Sequence, residues 1–126
     1  VSRPVPLFQI VADAAIAVNA DSGLRAYREL RQRYFGKDAF DFTESALNIA
    51  AFRTATGPAK VADALAILAF NETMFPNSSG MYVFRGNILL RKLDTAAATA
   101  AFRRAVQLDS TNAEARGRLQ SMGARS

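Results

Sequence analysis

The sequence predicts an all-α chain of about seven helices, with neighbours running antiparallel. Three observations predict it. Apolar residues recur at helical spacing along most of the chain. No stretch sustains the period-two alternation of a half-buried strand. Turn-forming residues break the pattern into helices of roughly 12–18 residues with short loops, and short loops make consecutive helices antiparallel neighbours.

The elements follow in order. In "LFQIVADAAIAV" the apolar residues Leu7, Phe8, Ile10, Val11, Ala14, Ala15 and Val18 mark a first helix. The turn residues of "NADSG", from Asn19 to Gly23, end it, and Asp21 or Ser22 is expected to cap the second helix. That helix, "GLRAYRELRQRYF", carries a stripe of Leu24, Tyr27, Leu30, Arg31 and Tyr34 and stops at Gly36. An acidic connector, "KDAFDF", leads to Thr43 as cap of a third helix, "ESALNIAAFRTAT". Gly57-Pro58 closes it, and Pro58 fits the first turn of a fourth, "AKVADALAILAFNETMF". Pro76-Asn77-Ser78 separates that helix from a fifth, "SGMYVFRGNILLRKL". Asp94 or Thr95 caps a sixth, "AAATAAFRRAVQL". After Asp109–Asn112 a seventh runs from Ala113 to Met122 and ends at Gly123.

Composition excludes several classes. The 126 residues suffice for one domain with one core. Half are apolar and about a fifth charged, an ordinary globular balance. No apolar run reaches the ~20 residues of a membrane span. Without cysteine there is no disulfide to indicate a compartment. The start, "VSRPVPLF", lacks both an initiator Met and a signal-peptide pattern. Residues 1–6 therefore read as a linker or fragment boundary, and the chain as a piece of a longer protein. The formal charge of +5 comes from thirteen Arg and three Lys against eleven acids. The arginines are scattered and read as solvated helix faces; nucleic-acid binding is the weakest of the functional alternatives.

The chain also matches itself at an offset of 34: Ala64 falls on Ala98, Leu68 on Phe102, Met74 on Leu108 and Pro76 on Ser110. The offset is a helix pair with its turn. It also explains Gly86, since glycine inside a helix costs ~1 kcal/mol relative to alanine. Gly86 and Ala98 are expected to remove bulk where two helices of one hairpin approach closely, with Tyr82, Leu89 and Phe102 filling the space around the contact.

Residues 79–112 resemble a tetratricopeptide (TPR) repeat without gaps. Tyr82, Gly86, Asn87, Leu89, Asp94, Ala98, Phe102, Ala105, Leu108, Asp109 and Asn112 fall in its consensus classes. Ser110 stands where proline is usual, Arg85 where leucine is usual and Leu93 where glycine is usual. Residues 45–78 resemble a divergent copy, in which Phe52 and Asn71 replace small residues. Residues 7–42 read as a helical hairpin, and 113–126 as a capping helix and tail. The resemblance implies a right-handed TPR-like helical-hairpin solenoid. A second, looser similarity joins Leu47-Asn48, "ALAILAFNETMFPNSS" and Gly86-Asn87 to helical tails of bacterial beta-lactamase-like or penicillin-binding-type serine hydrolases and esterases. That similarity leaves both a cytoplasmic and a periplasmic or secreted location open.

No catalytic constellation is legible. There is no His or Cys, no Ser-x-x-Lys, no Gly-x-Ser-x-Gly and no phosphate-binding glycine loop. No cofactor, metal site or catalytic residue is expected, and Asp38 and Asp41 read as a solvated turn. Recognition remains. By resemblance, the first helix of each pair lines a groove, at Ala46, Ile49, Arg53 and Thr56 and at Val83, Asn87, Leu90 and Arg91. Residues 49, 53 and 56, and 83, 87 and 90, each form one helical stripe, expected to face solvent. Asn87, Arg53 and Arg91 are placed to hold a backbone carbonyl or carboxylate. Val83 stands where a carboxylate-clamp TPR has lysine, which argues against chaperone-tail binding. The expected partner is a protein or peptide: a helix, the parent's own catalytic domain or a second copy. The alternative is a non-catalytic regulatory or dimerising appendage of a serine hydrolase.

Overall fold

In the computed structural model, which describes residues 5–123, seven α-helices and one 3₁₀ turn form, with no strand among the described residues. The helices are α1 (Leu7–Ala17), α2 (Ala20–Tyr34), α3 (Glu44–Thr54), α4 (Val61–Met74), α5 (Ser79–Arg91), α6 (Thr95–Leu108) and α7 (Ala113–Ser121). Residues 1–4 and 124–126, part of the expected linker and tail, lie outside the described residues.

Side-chain caps set most of the starts. Ser78 accepts from the Met81 amide, Asp94 from Ala97 and Asn112 from Ala115, each satisfying an otherwise orphaned donor. The second helix begins earlier than expected: Asn19, not Asp21 or Ser22, is its cap and accepts from the Ser22 amide. Thr43 sits at the start of α3 without capping it; its own amide donates to Asp41 Oδ1 at 2.8 Å. Pro58 opens a separate 3₁₀ turn, Pro58–Lys60, and α4 starts only at Val61. At the end of α5, Leu93 adopts φ 62°. The Leu93 amide donates to Leu90 O and the Asp94 amide to Leu89 O, the paired bonds of a Schellman stop in which glycine usually takes the left-handed position.

The helices pack as consecutive pairs, α1–α2, α3–α4 and α5–α6. Further contacts join α1 to α3, α3 to α5, α2 to α4, α4 to α5 and α6 to α7. Two core clusters result. Leu7, Val11, Tyr27, Leu47, Ile67, Leu68, Met81 and Ile88 belong to the first. Val83, Leu89, Ala98, Phe102, Ala105 and Leu119 belong to the second. Helix α5 contributes to both, so it is apolar on two sides and joins them.

The buried positions refine the internal register. Ala98, Ala101, Phe102 and Ala105 of α6 are buried, and so are Ala64, Ile67, Leu68 and Asn71 of α4, 34 residues earlier in every case. The first helices differ by 35: α3 starts at Glu44 and α5 at Ser79. The longer connection between α3 and α4, with its 3₁₀ turn, holds the extra residue. The counterpart of Gly86 is therefore buried Ala51, and Phe52 is not a substitution at the tight position. Asn71, wholly inaccessible to solvent, donates to Asn48 Oδ1 and Glu44 O, both at 2.9 Å, while its own Oδ1 has no hydrogen-bond partner.

Two glycines stand at close approaches. A Cβ on Gly86 would lie 2.5 Å from the Phe102 ring, so the glycine makes room for an aromatic face rather than for a second backbone. The backbone approach lies elsewhere. A Cβ on Gly23 would come within 2.7 Å of the Val11 carbonyl oxygen, where α2 crosses α1. Gly23, read from sequence as a turn residue, is a packing residue inside α2.

Candidate partner-binding face

Helices α3, α5 and α7 meet along one side of the molecule. A cleft of about 460 Å³ is lined there by Phe52, Val83, Phe84, Asn87, Leu90, Arg91, Glu114 and Arg118. The floor is apolar because α5 carries Val83 and Leu90 on the side that packs on α6 and α7. The rim is polar. Asn87 Nδ2 donates to Glu114 Oε2 at 3.0 Å, while Asn87 Oδ1 is buried and has no hydrogen-bond partner. Arg91 lies 4.2 Å over the Phe52 ring and donates to Ala55 O at 2.6 Å, closing the C-terminal end of α3.

Of the predicted groove residues, Val83, Asn87, Leu90 and Arg91 come together in this cleft. The other four do not join them. Ile49, with Ala46, lines a separate pocket of about 220 Å³ against the start of α1 and the Phe40 connector. Arg53 lies 4.7 Å over the Phe8 ring of α1. Thr56 falls beyond the end of α3. The reason is the one-residue difference in register. At 3.6 residues per turn, one residue turns a helical stripe by about 100°, so the stripe of 49 and 53 faces α1 and Phe52 faces the cleft. Phe52, Phe84, Glu114 and Arg118 are lining residues that the sequence reading missed; comparing the two first helices at 35 would have paired Phe52 with Asn87.

Val83 also departs from expectation. It retains 6% of its accessible surface and belongs to the second core cluster, with Leu90 half-buried against it. It is core that shows one edge in a cleft, not a solvent-facing contact residue. The donors are partly engaged as well, Arg91 by Ala55 and Arg53 by Phe8.

On the α4–α5 side, Glu72 accepts from Tyr82 Oη at 2.6 Å and from Arg85 Nη2 at 3.0 Å. The Tyr82 hydrogen bond, aided by Arg85, holds the Glu72 carboxyl below the usual carboxylate range. This network ties two helices together and does not line the α3–α5–α7 cleft. Among the described residues no group of His, Cys, Asp or Glu is placed to hold a metal ion, and no helix is long and apolar enough to cross a membrane.

Compared with protein-family models, curated proteins and solved structures, the chain gives no match.

Proposed function

We propose that this chain is a TPR-like interaction scaffold, a right-handed solenoid of helical hairpins that docks another polypeptide along the α3–α5–α7 face. The observation that carries the reading is the cleft itself, where the exposed Phe52 ring and half-buried Leu90 stand beside Asn87, Arg91, Glu114 and Arg118. An apolar floor with hydrogen-bonding groups on its rim suits the side chains and backbone of a polypeptide. Arg118 supports the same reading: among the described residues no carboxylate forms an ion pair with it. The partner is a peptide, a helix or a neighbouring domain of the parent protein.

Phe52 and Arg118 are exposed, so Phe52→Glu with Arg118→Glu alters the face without charging the core. A random peptide library selected on the native chain should yield sequences that the double variant no longer binds. Light scattering on both proteins tests the second-copy case. Self-association lost in the variant would favour the dimerising appendage of a hydrolase as the biological setting. Absence of both enriched peptides and self-association would sink the proposal.

A further inference from the structure

Five of the sixteen cations of this chain fall within residues 25–37. They are Arg25, Arg28, Arg31, Arg33 and Lys37, with Glu29 among them, Asp21 before them and Asp38 and Asp41 after them. All five cations are exposed. The ion pairs among the described residues are Lys60–Asp63 and Arg85–Glu72, both outside this segment. Arg25 and Arg28, and Arg28 and Arg31, are like charges one turn apart, a spacing that weakens a helix. The fold engages Arg28, which lies 5.7 Å over the Phe70 ring, but gives Arg25, Arg33 and Lys37 no ion pair or ring contact among the described residues. Beside it stands Phe35, 60% exposed, with the Arg31 guanidinium 4.4 Å over its ring. Its other close ring is Phe42 at 6.1 Å, which holds it from the connector side.

We infer that the outer face of α2, with Phe35 at its end, binds single-stranded nucleic acid. Unpaired cations attract the phosphates through counterion release, and an exposed ring backed by arginine offers a stacking surface for an unpaired base. A membrane surface fits less well. Interfacial helices insert an apolar face, and that face of α2, with Gly23, Leu24 and Tyr27, is already buried in the fold. An acidic polypeptide would use the cations but not the ring.

The test is fluorescence anisotropy with a labelled oligouridylate of about twenty nucleotides, titrated from low to physiological salt. Binding should weaken with salt, with a log–log slope near −2 if about three phosphates are neutralised at ~0.7 each. Arg25→Gln/Arg33→Gln/Lys37→Gln leaves the stacked Arg28 and Arg31 in place. It should keep the parent's circular dichroism and melting point, lose about tenfold in affinity at low salt and flatten the slope. Phe35→Ala should lose about fivefold or more while keeping the slope. The inference is overturned by no binding at low salt, by binding that the triple variant retains, or by a Phe35→Ala variant that binds as the parent does. Equal or tighter binding of polyglutamate or of phosphatidylserine vesicles would overturn it too, since the surface would then be reading charge alone.

Discussion

Single residues decide the hairpin contacts, and the glycines show it by contrast. Gly23 and Gly117 both lie inside helices, yet a Cβ on Gly117 would meet nothing within 4 Å. Gly117→Ala should therefore stabilise the chain by about 0.5–1 kcal/mol through helix propensity. At Gly23 the same gain is opposed by contact with the Val11 carbonyl, and overpacking costs about 1–3 kcal/mol. Gly23→Ala should lower the denaturation midpoint while Gly117→Ala raises it; equal shifts would refute the close approach. Leu93 gives the opposite case. Its side chain is 86% exposed and its backbone is left-handed, a conformation that costs a side-chain-bearing residue roughly 1–2 kcal/mol. Glycine gives back about 0.5–1 kcal/mol through its freer unfolded state. Leu93→Gly should leave a net stabilisation of up to about 1 kcal/mol in urea unfolding. Nothing in the structure explains the leucine there.

Between elements, the start of α4 holds the first hairpin. Lys60 Nζ donates to Ala15 O at 2.9 Å and Val18 O at 3.2 Å, at the C-terminal end of α1. Asp63 Oδ1 accepts from the Ala20 amide at 2.8 Å, at the N-terminal end of α2. Opposite charges thus meet the two helix ends that favour them. Asp63→Ala should cost about 1–3 kcal/mol, the price of a buried amide left without an acceptor. Hydrogen exchange should show the loss at Ala20 and the first turn of α2 before it reaches α6. The Glu72 network sets a pH dependence. Because its carboxyl titrates below the unfolded value, the stabilisation is complete above the ordinary glutamate range and is lost as pH falls through the folded value. Tyr82→Phe removes the largest cause of the shift, so it should reduce the acid sensitivity of the melting temperature. An unchanged pH profile would show that the network contributes nothing there.

At the scale of the molecule, α5 is the joint. Met81 and Ile88 enter one core cluster and Val83 and Leu89 the other. Val83→Asp with Leu90→Asp should therefore unfold the α5–α7 region rather than yield a folded variant with a bare face, because a buried unpaired charge is among the few changes that cost more than about 4 kcal/mol. Loss of helical circular dichroism checks this, and a fully folded double variant would return both residues to the surface. The seven helices, most of their boundaries and a packing role for Gly86 are legible in the sequence, because caps, helical periodicity and glycine placement are local signals; that Gly86 meets the Phe102 ring and not the Ala98 backbone is not. The second-helix repeat at 34 is legible as well, since α4 and α6 bury matching positions. Half of the candidate face was not. A one-residue insertion in the α3–α4 connection turns α3 about its axis, so Ile49 and Arg53 face α1 and Phe52 enters the cleft. Local sequence determines that a helix forms and where it stops. Which side of it meets its neighbour depends on burial summed over helices distant in sequence, and that was decided only by the tertiary structure.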